Sequence, residues 1–227
     1  MKRIFYAGDS TVAFNKIDTY PQTGMSQALP LYLKDDIQVI SFAKNGASTK
    51  SFIEEGRLAA IEGQIKKGDY LFVQFGHNDS KEDPERHTDP AGDFQKNLLI
   101  FARAAVSRGA YPVFITPIAR RLFDEAGNFK PGSHGAYPEA MRAVAAKAKL
   151  PVVDLTSVTE AYLSETGELW SRPLFVWPTD NTHLRYEGAV LMAGFLARGL
   201  KALGEPYGSL LSEEFRGILP NSPTDKI

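Results

Sequence analysis

Three short polar stretches of this chain hold residue types capable of nucleophilic catalysis. Ser10 stands in Gly8-Asp9-Ser10, Asn78 in Gly76-His77-Asn78-Asp79, and His183 in Asp180-Asn181-Thr182-His183. A serine hydroxyl is a poor nucleophile at neutral pH until an imidazole takes its proton. Asp180 lies three residues before His183, so it can accept from Nδ1–H and fix the tautomer that leaves Nε2 free for a serine. The chemistry on offer is attack by Ser10 with His183 as its base. Each stretch also has a plainer use. Gly-Asp-Ser is a common turn, Asn78 suits an Asx turn, and Asp180 suits the N-cap of a final helix.

Bringing these stretches together is the task of the intervening elements. Ile4 opens a short apolar, aromatic run that stops at Gly8-Asp9-Ser10. Ile37 to Phe42 is a second strand, ended by Ala43 to Ser48 with Gly46 inside. Tyr70 to Phe75 is a third, apolar apart from Gln74, as a strand buried on both faces would be. Tyr111 to Thr116 and Val152 to Leu155 read as the fourth and fifth. Helical spacing recurs between them: Met25 to Leu33 (interrupted by Pro30), a helix begun by a Ser51/Glu54 capping box and running towards Ile61, and Phe94 to a C-capping Gly109. Glu139 to Lys149, Ser157 to Ser164 and Glu187 to Leu203 follow the same pattern. Strands alternating with helices imply an α/β fold, a parallel sheet covered on both faces. The strand ends of such a sheet meet at one edge, so Ser10, Gly46 and Asn78 converge there.

The remaining stretches read as loops: a polar one from Asn15 to Thr23, a charged one from Lys81 to Asp93, and a long one from Pro117 to Pro138 turning at Asp124 to Gly127. An aromatic loop spans Trp170 to Trp177. Residues 1–227 read as one domain, with a core of about 1–203 and a proline- and glycine-rich extension, 204–227, holding a short helix near Leu210 to Phe215.

Composition closes off several function classes. A net charge of -1 over 227 residues gives no footprint for nucleic acid. The absence of cysteine excludes disulfides, thiolate metal sites and a cysteine nucleophile. No apolar run reaches the roughly 18 residues of a membrane span, and the stretch from Ile4 to Gly8 is too short for a secretory signal, so the chain reads as cytoplasmic. No heptad pattern or apolar stripe marks an interface, leaving monomer or homodimer open.

The four blocks Gly8-Asp9-Ser10, Gly46, Gly76-His77-Asn78-Asp79 and Asp180-Asn181-Thr182-His183 resemble, in order and spacing, those of the SGNH or GDSL hydrolase superfamily. Within it, Gly-Asp-Ser-Thr-Val, Gln74 to Asp79, His134-Gly135-Ala136-Tyr137-Pro138 and Asp-Asn-Thr-His-Leu resemble the rhamnogalacturonan acetylesterase group of carbohydrate esterases. The resemblance implies a three-layer, flavodoxin-like sheet in the order 2-1-3-4-5. It also implies that Ser10 is the nucleophile, His183 the general base and then acid, and Asp180 its orienting carboxylate. The amides of Ser10 and Gly46 and the side chain of Asn78 would form the oxyanion hole. Physically, Gly46 has no side chain to keep an oxyanion from its amide, and Asn78 is a neutral donor that can be aimed where charge develops.

Five further residues are candidates for substrate contact: His77, His134, Trp177, Arg120 and Arg121. Tryptophan can stack on a sugar ring and arginine can bind a uronate carboxylate, although core packing and a solvated surface are the plainer uses. His77, Asp79, Asp83 and His87 contain metal-ligating types, but their spacing fits no common ligand pattern, and a solvated loop is the preferred reading. The expectation is a metal-independent, cofactor-free serine esterase acting on small acetylated oligosaccharides derived from rhamnogalacturonan. Alternatives are another ester on the same fold (acetylated xylan fragments, a lipid, a thioester), a non-catalytic carbohydrate-binding protein, and a metal-dependent deacetylase.

Overall fold

The third apolar run is the centre of the molecule. In the computed structural model, which describes residues 2–213, β3 (Tyr70–Gln74) is buried at every position and paired on both edges. With β1 (Lys2–Gly8), β2 (Ile37–Ser41), β4 (Tyr111–Ile115) and β5 (Val152–Val153) it forms one parallel sheet in the order β2-β1-β3-β4-β5. Gly8 and Gln74 are register partners, so the turns after β1 and β3 leave the sheet side by side.

Alternation along each strand divides the core into two layers. Ile4, Tyr6, Tyr70, Phe72, Val113 and Ile115 pack with α1 (Met25–Ala28), α6 (Leu155–Ser171) and α7 (Tyr186–Ala202). Phe5, Ala7, Leu71, Val73 and Phe114 pack with α2 (Thr49–Glu54), α3 (Arg57–Glu62), α4 (Asp93–Val106) and α5 (Tyr137–Ala148). The parallel sheet covered on both faces is the one read from the alternation of strands and helices, and its strand order is the one the family resemblance implies.

Boundaries differ where local chemistry overrides periodicity. The stretch from Met25 to Leu33 is one turn of α-helix followed by a 3₁₀ turn, Leu29–Tyr32, because Pro30 has no N–H for the helical ladder. The capping box uses Ser48 as N-cap, with Ser51 N–H donating to Ser48 Oγ at 3.2 Å and Ser48 N–H to Ser51 Oγ at 3.0 Å. Ser51 is therefore the third helical residue rather than the start, and the chain breaks at Gly56 before α3. β5 is shorter than expected because Asp154 caps α6, accepting from Ser157 N–H at 3.2 Å. That helix continues past Ser164, kinked at Gly167, so Trp170 sits on it and the expected aromatic loop is shortened. Beyond α7 the chain folds back: Tyr207 donates to Pro112 O at 2.6 Å, and Lys34 N–H to Leu210 O at 3.0 Å. Gly208–Leu210 is a 3₁₀ turn, and the helix expected from Leu210 to Phe215 does not form over 211–213, where Leu211 leaves the turn to bridge Leu33; positions 214 and 215 lie outside the described residues.

Candidate active site

Ser10 follows β1 in a turn built by Asp9. The carboxylate Oδ1 of Asp9 accepts from Thr11 N–H at 2.9 Å and from Thr11 Oγ1 at 2.8 Å, while Asp9 O accepts from Val12 and Ala13 N–H. Gln74, the lone polar residue of β3, braces this turn: it accepts from Tyr6 OH at 2.7 Å and donates to Thr11 Oγ1 at 3.3 Å. That one interruption in an apolar run was the sequence signal for the brace.

From 173 residues away in sequence, His183 Nε2 comes to 2.8 Å from Ser10 Oγ. Its Nδ1 lies 2.5 Å from Asp180 Oδ2, and Asp180 Oδ1 accepts from Thr182 N–H at 2.6 Å and His183 N–H at 2.9 Å. Partial burial alone would raise the Asp180 pKa, but the bonds from the His183 ring and the two amides outweigh it and hold the carboxyl below its usual range. The loop closes through Val176 N–H to His183 O at 2.9 Å and a bridge between Phe175 and Leu184. Helix α7 begins after Arg185, so Asp180 is not its N-cap, the plainer use open to it in the sequence.

The turn after β2 is seated by Lys44 N–H on Gly8 O at 3.1 Å. Gly46 there has φ +81, a left-handed conformation that strains any side chain. Asn78, buried after β3, donates one amide hydrogen to Ala47 O at 2.9 Å, which ties its head group to the Gly46 turn and leaves the second hydrogen. Among the described residues, the main-chain amides of Ser10 and Gly46 donate to no protein acceptor. Three strand-end turns and the loop before α7 thus bring together a serine, a carboxylate-oriented imidazole and neutral donors, an arrangement able to transfer an acyl group.

Asp79 holds this edge from beneath. Its Oδ1 accepts from Thr49 N–H at 3.0 Å, Thr49 Oγ1 at 2.6 Å and Thr88 Oγ1 at 3.0 Å, stapling the Asn78 turn to the start of α2. Burial raises its pKa to about 6 despite those bonds, and the charge of Asp9 adds to the rise. A folded pKa above the unfolded value of about 4 gives stability that is complete below pH 4 and lost as pH rises through 6. Asp79→Asn carries no such loss, so its melting temperature should gain on the wild type from pH 4 to pH 7; a difference independent of pH would show that Asp79 titrates as an ordinary carboxyl. Asp9 behaves likewise, its pKa raised to about 6 by complete burial against the bonds from Thr11.

The expected substrate-contact residues fall into two groups. His77 and His134 are buried together, ring edge to face at 4.3 Å between centroids, with His134 Nε2 2.7 Å from Ile118 O. Burial keeps both imidazoles neutral, His134 falling to about 4. Arg120 spans the site loops, donating to His77 O at 3.0 Å and to Thr182 Oγ1 at 3.4 Å. Arg121 is buried, donating to Ser171 Oγ at 2.9 Å and Glu168 at 2.5 Å. Its guanidinium and that of Arg172 lie 4.6 and 4.9 Å from the Trp177 ring centroid, so that ring is packed against cations. Arg121, Arg172, Phe123, Trp177 and Asn181 line a cleft of about 390 Å³ beside the His183 loop. The four candidate ligands His77, Asp79, Asp83 and His87 do not converge: Asp83 pairs with Arg86, His87 meets Lys81 O, and His77 and Asp79 are turned inward. Among the described residues no three such side chains gather.

Comparison with known proteins places this geometry in context. Residues 6–189 match the GDSL-like lipase/acylhydrolase family model. The chain is 42% identical over 216 residues to the rhamnogalacturonan acetylesterase RhgT of Bacillus subtilis, covering 90% of this chain and 91% of that one. It is 40% identical over 215 residues to YesY of the same organism, a probable rhamnogalacturonan acetylesterase, covering 93% and 98%. The crystal structure of Bacillus subtilis YxiM superposes with a TM-score of 0.80 at 28% identity, over 90% of this chain and 57% of that chain. The acetylxylan esterase Axe2 of Geobacillus stearothermophilus shares the fold, with a TM-score of 0.64 at 16% identity over 91% and 95%.

Proposed function

The chain belongs to the GDSL-like lipase/acylhydrolase family, and from that premise we propose that it is a serine esterase removing O-acetyl groups from rhamnogalacturonan-derived oligosaccharides. One observation carries the reading: Ser10 Oγ stands 2.8 Å from an imidazole whose other nitrogen is held by Asp180. The substrate class is supported by the similarity to RhgT over nearly the whole of both chains.

In the mechanism, His183 Nε2 takes the Ser10 proton as Oγ attacks the acetyl carbonyl. The tetrahedral oxyanion receives hydrogen bonds from Ser10 N–H, Gly46 N–H and the second amide hydrogen of Asn78. As the intermediate collapses, His183 gives its proton to the departing sugar oxygen, and the acetyl group stays on Ser10. Water, deprotonated by the same imidazole, then attacks the acetyl-enzyme; acetate leaves as the bond to Ser10 Oγ breaks, and Oγ takes the proton back from His183. Every step uses side chains and amides of this chain, so no metal or cofactor enters. Arg120 ties the two halves of the site together through His77 and Thr182.

The test is acetate release from acetylated rhamnogalacturonan oligosaccharides with chelator present. Rapid release supports the reading. Hydrolysis of a small activated acetate ester without release from the oligosaccharide would keep the chemistry and overturn the substrate, and loss of all activity with chelator would overturn metal independence. Asn78→Ala adds a sharper check. Removing one oxyanion donor lowers kcat by roughly 10²- to 10³-fold with KM little changed. A loss confined to KM would show that Asn78 binds substrate instead.

A further inference from the structure

The loop between the Ser10 turn and α1 exposes three large apolar side chains within seven residues: Phe14 at 66%, Ile17 at 87% and Tyr20 at 78% of their full surface. A cluster of exposed large apolar groups marks a contact surface more often than chance. This loop is also held in place. Asn15 N–H donates to Gln27 Oε1 at 3.0 Å while Gln27 Nε2 donates back to Asn15 O at 3.2 Å, and Thr19 Oγ1 donates to Lys16 O at 3.0 Å. Gly24 lets the end of the loop seat directly on the Ser10 turn, because a Cβ there would collide with the carbonyls of Val12 and Ala13.

The loop is tied to three of the four segments that build the site. Gln22 Nε2 donates to Ser10 O at 3.3 Å, Asn45 Nδ2 donates to Asn15 Oδ1 at 3.1 Å beside Gly46, and Thr23 N–H donates to Leu184 O at 2.8 Å beside His183. The loop is thus anchored beside the nucleophile, the oxyanion turn and the imidazole loop. Resting on the function proposed above, we propose that the segment from Phe14 to Thr23 is a carbohydrate subsite, on which Phe14 and Tyr20 stack against the pyranose rings of the chain bearing the acetyl group.

The chemistry of the loop favours a sugar. Its apolar groups alternate with exposed Lys16 and Asp18, charges of opposite sign that give no preference for an anionic surface. A pyranose offers both C–H faces for aromatic rings and hydroxyls for the polar residues between them, whereas an acyl chain calls for a continuous apolar enclosure. The hydrogen bonds within the loop hold it before substrate arrives, which lowers the ordering entropy lost on binding.

The experiment compares wild type with Phe14→Ser, Tyr20→Ser and the double variant. The readout is the ratio of kcat/KM on acetylated oligosaccharide to kcat/KM on a small activated acetate ester. That ratio should fall by about three- to tenfold for each single variant and more for the pair, carried by KM. Val106→Ser, an exposed apolar position on α4, serves as the control and should leave the ratio alone. A ratio unchanged in the double variant overturns the subsite. So does a loss seen instead against fatty-acyl esters, or a dimer in the wild type that sedimentation shows to dissociate in the variants. If the wild type releases no acetate from any oligosaccharide, the function proposed above fails on its own. The subsite is then decided by calorimetric binding of deacetylated oligosaccharide to Ser10→Ala with and without Tyr20→Ser: weaker binding in the double variant sustains it, and equal or absent binding overturns it.

Discussion

Ser10→Ala is expected to lower acetate release by roughly 10⁴- to 10⁶-fold while leaving the fold and substrate binding in place. Only Oγ is removed, from a small side chain whose turn is built by Asp9 and Gln74 rather than by the hydroxyl. The hydroxyl contacts His183 Nε2 at 2.8 Å, and the oxyanion donors remain. His183→Ala should lose about as much, and the double variant little more, because nucleophile and base act as one unit. The measurement is single-turnover acetate release from each variant alongside its melting temperature. Losses that add on a logarithmic scale would mean that the two residues act separately, and equal release by wild type and Ser10→Ala would end the assignment of Ser10 as nucleophile.

Asp180→Asn should cost nearly as much, on the order of 10⁴-fold in kcat. The isosteric amide keeps the Oδ1 carbonyl that accepts from Thr182 and His183 N–H, so the loop holds its shape. Its NH₂ group, however, faces His183 Nδ1 where Oδ2 now accepts. Two donors cannot share that contact, so the ring turns to the tautomer with the proton on Nε2, and the atom facing Ser10 becomes a donor. The pH profile separates this from a structural effect. A tautomer fault depresses the whole rate plateau at an unchanged melting temperature, whereas loop collapse would lower the melting temperature with it. A variant retaining a tenth or more of the wild-type rate would show that Asp180 only shapes the loop.

Much of this site was legible in residue types and their positions. The apolar run of β3 and its polar stop, the Gly-Asp-Ser corner and the Asp180/His183 spacing are local features, set by turn chemistry and by which segments can be buried. Convergence followed because parallel strands deliver their C-terminal ends to one edge. Helix boundaries were less legible: a capping box shifts by three residues when Ser48 and Ser51 can both play the N-cap. The roles of Arg120 and Arg121 could not be read from identity, since adjacent guanidiniums go to different places, one to His77 and Thr182, the other to Glu168 and Ser171.

The sequence by itself determined the alternating sheet, the residues at its strand ends and the kind of chemistry those residues permit. Only the tertiary structure decided which polar groups are spent on the scaffold. It buried Asp9 and Asp79 as braces, paired His77 with His134, and turned Arg121 inward. It also clamped a loop that reads as polar in the sequence against Ser10, Asn45 and Leu184, with Phe14 and Tyr20 exposed on it. The physical reason is that periodicity reports whether a side chain is buried, while its role depends on its partners. Here the decisive partner of Ser10 lies 173 residues along the chain.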